Sequence, residues 1–317
     1  MENQGWKTYR RGGFLNRKLM GIVTAISLLA LYIFNDMVGD WGRLSGGWEN
    51  LVIFFNESLW PPDWSILEAQ SYPVCEQEVE LFCSVAWLGM VETIKIAFVA
   101  TALGFVFALP LSVLAANNLS PLWMAIPARV ILAAMRSLPS IIWAVLFMII
   151  FDVGTLAGIF AMTFYTVGYL GKLQFESMEG LKNAPLEAAK AMGMTRAETA
   201  WHIALPESAN HLLSHLMFMF EYNVRHGTVI GLVGAGGIGL YINTYLKLTQ
   251  YDKVVALLLV VFIVVVLIDF LSMAIRSTVT EEGDVRRPSW STIFLPASIS
   301  SKYHTTPMKT SFSKEDE

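Results

Sequence analysis

Charge is scarce in this sequence. Asp, Glu, Lys and Arg make up 15% of the 317 residues, where a water-soluble domain carries about 25%. That shortfall excludes an ordinary hydrated surface over most of the chain. There is no basic stripe interleaved with exposed aromatics, which argues against a nucleic-acid binder. Histidine is sparse too, with His211 and His215 four apart but no H-E-x-x-H, so no metal site and no zinc enzyme is expected. A phosphate-binding G-x-x-x-x-G-K-[ST] loop is also missing. Gly171-Lys172 runs into Leu173, without the upstream glycine or the hydroxyl that would hold magnesium. The chain is therefore expected to hold no cofactor and to carry no nucleotide chemistry of its own.

What the sequence does have is apolar length. Hydrophobic residues make up 55% of it, with a mean hydropathy of +0.52. About six stretches are long enough to cross a bilayer, which takes roughly 20 residues at 1.5 Å each. They are 19–38, 89–116, 122–151, a fourth ending near Leu173, a fifth from near Leu212 into a glycine-rich segment at 227–239, and 254–275. A tight break at Asp152-Val153-Gly154 separates the third from the fourth. The expected fold class is all-α, a polytopic membrane protein.

Flanking charge orients the spans. Lys7, Arg10, Arg11, Arg17 and Lys18 precede the first, while the loop at 39–86 carries Asp40, Glu49, Glu57, Asp63, Glu68, Glu76, Glu78 and Glu80 against Arg43. The positive-inside rule puts the N-terminus in the cytoplasm and that loop outside, and six spans return the C-terminus to the cytoplasm near Arg276, Arg286 and Arg287. A cleaved signal peptide competes for the first span, with Arg10-Arg11 suggesting a twin-arginine version. The lack of an A-x-A-like cleavage site favours an anchor. Cys75 and Cys83 fall in the outer loop. On an oxidising face they form a disulfide closing a small loop, or they stay two unpaired small hydrophobes; both readings stand. The chain divides into an N-terminal part (1–86), a membrane domain (87–280) and a tail (281–317) rich in Ser, Thr, Pro and Lys, expected to be disordered.

Between the fourth and fifth spans lie Glu187-Ala188-Ala189, then Gly193, then Ile203-x-Leu205-Pro206. Pro185 and Glu187 suit the first turn of a helix. Ala188 and Ala189 let another surface approach, Gly193 permits a sharp turn or close contact, and Pro206 is expected to stop a second short helix. This E-A-A-x3-G-x9-I-x-L-P string resembles the signature of ABC importer permeases. The resemblance implies a type I importer permease fold in which 187–206 is a cytoplasmic coupling helix. It also implies a homodimer, two copies of a separate ATPase subunit that binds the ATP, and a periplasmic substrate-binding protein, in a bacterial inner membrane. This chain would be a non-catalytic subunit.

Gly234-Ala235-Gly236-Gly237-Ile238-Gly239 spells a dinucleotide fingerprint, but no strand precedes it, and the expected role is close packing or helix interruption. With Phe220-Glu221-Tyr222-Asn223-Val224-Arg225, Thr228-Val229-Ile230-Gly231, Arg136-Ser137-Leu138-Pro139 and Gly171-Lys172-Leu173, it is similar to permeases of the phosphonate-uptake family. That similarity implies a phosphorus oxyanion cargo, with methionine or glycine betaine as the alternative and an ion-coupled secondary transporter as a more distant one.

Ionisable groups inside spans need partners or water. Glu221 with Arg225 and Glu92 with Lys95 have helical pairing distances. Arg129 can snorkel to an interface. One reading lines an anion path with Arg136, Glu221, Asn223, Arg225 and His226, since guanidinium matches phosphonate oxygens. The other makes Glu221–Arg225 a structural pair and gives Arg136 a carboxylate or carbonyl partner.

Overall fold

A computed structural model describes residues 17–39, 41–69 and 79–279. Cys75, with its expected disulfide, and the tail from 281 lie outside them. The described residues are almost wholly helical, apart from one isolated bridge between Ala69 and Ser84. They fall into two compact units, divided after Pro61.

In the first unit, α1 (Arg17–Val38) contains the apolar run Leu19–Val38, none of it buried. At its end the Trp41 indole donates to Asn35 Oδ1 at 2.8 Å and packs edge-on against Phe34. The next helix is α2 (Gly42–Phe54).

The second unit starts at Pro62, so part of the acidic loop folds with the helices that follow. Ile66 is fully buried there, and the Asp63 backbone N–H donates to the Asp252 carbonyl. The helices are α3 (Val85–Ala115), α4 (Leu122–Ser137), α5 (Ser140–Phe151), α6 (Thr155–Glu179), α7 (Asn183–Ala191), α8 (Arg196–Thr199), α9 (Leu205–Gly231), α10 (Ile238–Lys247) and α11 (Tyr251–Val279). Ser84 starts α3 by accepting from the Trp87 N–H, the usual N-cap geometry.

α6 is the hub, packed against α3, α4, α5 and α9. Small residues make that possible. Ala97, Ala100, Gly104 and Ala108 of α3 are buried, and a Cβ on Gly104 would collide with Thr166 of α6. On the α4 side, a Cβ on Gly171 would lie 2.5 Å from Leu132. Lipid offers no hydrophobic drive between helices, so backbone approach through small residues supplies the packing.

The expected third span, 122–151, is two helices bent by 88°. Leu138, preceding Pro139, is extended at φ −100°, ψ 139°, because the proline ring disfavours the helical conformation of its neighbour. Pro139 also has no N–H for the Met135 carbonyl, which instead accepts from the Trp143 indole at 3.0 Å. The break at 152–154 is as expected, with Asp152 at φ 66° and Gly154 at φ 150°. α6 continues past Leu173 to Glu179, and α9 begins at Leu205 rather than near Leu212. Among the described residues, four helices qualify as spans by length and composition, or five with the bent pair counted as one. α9 does not, because it carries Glu221, Arg225 and three histidines along its length.

Candidate functional site

The expected coupling segment, 187–206, forms part of a helix–turn–helix. α7 starts at Asn183, so Pro185 lies in its first turn and Glu187 in its second, one turn later than expected. Gly193 at φ +74° ends it. The Met194 N–H reaches the Ala189 carbonyl and the Gly193 N–H the Lys190 carbonyl, the paired bonds of a Schellman stop. A Cβ on Gly193 would meet nothing within 4 Å, so the glycine serves the turn and not a close contact. Ala189 is buried within the chain, while Glu187 and Ala188 are exposed.

α8 then opens with a capping box. Glu198 accepts from the Thr195 N–H and hydroxyl at 2.7 and 2.8 Å, while Thr195 accepts from the Glu198 N–H. The T-x-x-E spacing is legible in the sequence. Pro206 does not stop this helix. α8 passes through a π turn at Ala200–Ala204, and Pro206 occupies the first turn of α9, where its fixed φ and missing N–H are tolerated. Ile203 and Leu205 are half-buried and Pro206 is exposed. Met192 and Trp201 are each 67% exposed, large apolar groups without cover within this chain.

The anion-path candidates do not share one face. Glu221 and Arg225 join Asp269 and Arg276 of α11 in a closed set. Arg276 donates to Glu221 at 3.1 Å, Arg225 donates to Asp269 at 2.9 Å, and Arg225 lies 3.7 Å from Glu221. Asn223 points the other way. It is 1% exposed and its amide donates to Thr101 and Thr166 at 2.8 and 2.9 Å, locking α9 to α3 and α6. Arg136 makes no ion pair among the described residues, and its backbone packs on Gly168, where a Cβ would lie 2.8 Å from the Arg136 nitrogen. Arg129 reaches the end of α6. It pairs with Glu179, donates to the Ala115 carbonyl at 2.8 Å and covers the Phe175 ring. Glu92 has no ion pair with Lys95 among the described residues and instead accepts from the Thr155 hydroxyl. That places its carboxylate at the N-terminus of α6, where negative charge is favoured.

His226 belongs to an aromatic stack on the third side of α9. Its ring lies 3.8 Å from that of Tyr222, which stacks on Tyr165 at 5.7 Å, and Tyr169 lies 4.9 Å from Tyr165. The Tyr165 and Tyr222 hydroxyls are 2.7 Å apart. The signal that finds these residues in the sequence is two i, i+4 aromatic pairs, Tyr165/Tyr169 and Tyr222/His226.

The glycine-rich segment interrupts the helix and packs closely, as expected. Gly234, Gly236 and Gly237 have φ of 105°, 86° and 70°. Gly231 and Gly239 meet backbone to backbone, and a Cβ on Gly239 would strike the Thr228 carbonyl. The Ile238 N–H at the start of α10 donates to Thr93 of α3 at 2.9 Å. Elsewhere α3, α9 and α11 enclose about 540 Å³ lined by Phe98, Phe105, Phe220, Leu271 and Ile275, with Thr101 and Ser272 its only hydroxyls. An anion would find few donors there.

Residues 108–280 match the family described as binding-protein-dependent transport system inner membrane component. The chain belongs to that family. Such a component is the permease of its transporter, and the E-A-A-x3-G segment falls inside the matched region. This permease is 36% identical over 258 residues to the phosphite transport system permease protein PtxC of Stutzerimonas stutzeri, covering 81% of this chain and 87% of that one. It is 34% identical over 203 residues to the phosphate-import permease protein PhnE of Mycolicibacterium smegmatis, covering 63% of this chain and 37% of that one. Among solved structures, the MetNI methionine ABC transporter in an inward-facing conformation matches with a TM-score of 0.56 and 27% identity, over 62% of this permease and 96% of that chain. The architecture is thus the ABC importer permease fold expected from the coupling motif.

Proposed function

We propose that this permease imports a phosphorus oxyanion (phosphite, a phosphonate or phosphate) as part of an ATP-driven complex. The likeness to the phosphite permease over most of both chains carries the substrate reading. The complex would contain two copies of this chain, two copies of an ATPase subunit and an extracytoplasmic binding protein. Residues 187–206 support that assembly. The segment is rigidly capped at both helices, exposes Glu187 and carries uncovered Met192 and Trp201, the character of a surface built for a protein partner. Charge flanking α1 supports a cytoplasmic side for this segment and for both termini. In the cycle, ATP binding draws the two coupling segments together and opens the path to the outside, and hydrolysis returns it inward. This chain performs no catalysis. A methionine permease is the second reading, supported by the likeness to MetNI.

The test is uptake of labelled phosphite, phosphate, methylphosphonate and methionine by proteoliposomes holding the full complex. ATP-dependent uptake of a phosphorus oxyanion is expected. Methionine uptake with no phosphorus compound carried would overturn the substrate reading.

A further inference from the structure

We propose that Tyr165, Tyr169, Tyr222 and His226 form an oxyanion-binding subsite partway along the transport path, a proposal that rests on the phosphorus-oxyanion reading above. On α6, Tyr165, Tyr169, Lys172 and Glu176 recur at i, i+4, i+7 and i+11, which places them on one stripe of the helix. Tyr165 lies about 15 Å from the start of α6 at 1.5 Å per residue, deep in a span of 25 residues. Tyr169 is 39% exposed, as is the Lys172 side chain. A hydroxyl and an ammonium exposed further along that stripe are costly against hydrocarbon and fit a wetted path.

The stripe is open toward the coupling end and closed at the other. Gly158, two turns before Tyr165 on the same stripe, meets the glycine-rich segment, where a Cβ would lie 2.5 Å from the Ala235 carbonyl. On α9, His215 lies two turns before Tyr222 toward the α7–α8 end, and its Nδ1 is buried with no hydrogen-bond partner among the described residues.

The geometry of the stack selects the sign of its ligand. The rings lie nearly parallel at 21° for Tyr222–His226 and 11° for Tyr165–Tyr222, with Tyr165–Tyr169 tilted at 34°. At 3.8 Å between centroids, Tyr222 and His226 cover one another's faces. A quaternary ammonium needs open ring faces, and the stack offers few. It offers edges instead. The Tyr165 and Tyr222 hydroxyls meet at 2.7 Å. That pair uses one of its two hydrogens internally and leaves one for an outside acceptor, with the Tyr169 hydroxyl one turn further along the same stripe. Lys172, one turn beyond Tyr169, adds positive charge, held only at 3.4 Å by Glu176. Hydroxyl donors beside an ammonium suit a small oxyanion such as phosphite.

The deciding experiment compares the wild-type complex with Tyr222→Phe and Tyr169→Phe, which keep the rings and remove one hydroxyl each. Proteoliposomes with ATPase and binding protein are given labelled phosphite, phosphate, methylphosphonate or choline. The maximal rate of oxyanion import is expected to fall about tenfold in Tyr222→Phe, the worth of one charge-assisted hydrogen bond. Half-saturation, set by the binding protein, and binding-protein-stimulated ATP hydrolysis should not move. Tyr169→Phe gives the same comparison where Tyr222→Phe does not assemble. Oxyanion import by the wild type with both variants at the wild-type rate overturns the subsite alone. No oxyanion import by the wild type overturns the substrate reading beneath it. Choline import that depends on Tyr222 overturns the assignment of ligand charge.

Discussion

The α9–α11 seam and the α7–α8 segment treat their polar groups in opposite ways. In the seam, two carboxylates and two guanidiniums close on one another, and Glu221 is 8% exposed. In the α7–α8 segment, Glu187 is exposed without an ion pair among the described residues, and Met192 and Trp201 have no cover within the chain. Groups whose bonding is complete inside the chain hold helices together. Groups left incomplete mark where another molecule acts. The same contrast divides α9 itself, with Glu221, Arg225 and Asn223 complete and the Tyr222–His226 stack retaining a donor.

Breaking the seam should have the largest effect. Glu221→Ala strands the Arg225 and Arg276 guanidiniums with only Asp269 between them. Breaking a fully buried pair costs about 3–5 kcal/mol, discounted here to roughly 2–3 kcal/mol because both arginines are partly solvated. A lower melting temperature of the detergent-solubilised permease checks this, and an unchanged one would show the network to be incidental. Asn223→Ala comes next. It removes the tie between α9, α3 and α6, at about 1–2 kcal/mol for the lost bonds and the small cavity. It should lower melting temperature without changing which anion is carried. A changed anion preference would return Asn223 to the path.

The coupling segment offers the smallest effect. The Thr195 backbone N–H, then its hydroxyl, holds the Glu198 carboxyl below the usual glutamate range. The cap is therefore whole above that range and is lost as pH falls through the lowered value. Protection factors of the 195–199 amides, taken relative to the slower intrinsic exchange in acid, should fall on acidification below the ordinary carboxylate range, and Glu198→Gln should flatten that dependence.

Much of this was legible in the sequence, and unevenly. Four of the six expected spans and the E-A-A-x3-G string depend on local composition and fixed spacing, and these survive in the fold. Boundaries depended on prolines whose role is set by context. Pro139 bends the third span because Trp143 can satisfy the carbonyl it frees, whereas Pro206 starts a helix because a π turn precedes it. The path residues were least legible. Arg225, Asn223 and His226 lie within four residues, yet 100° per residue sends them to α11, to α3 and α6, and to the tyrosine stack. Glu221–Arg225 pairing could be read from i, i+4 spacing, but Asp269 and Arg276 come from a distant helix.

The most direct test of the account is the ratio of oxyanion imported to ATP hydrolysed by the reconstituted complex when the coupling turn is altered. Gly193→Ala forces a side chain into φ +74°, and Glu187→Ala removes an exposed charge from α7. Both variants should keep hydrolysing ATP while import falls severalfold, so the ratio drops. Wild-type import at the wild-type ratio in both would contradict the assignment of residues 187–206 as the segment through which the ATPase drives this permease.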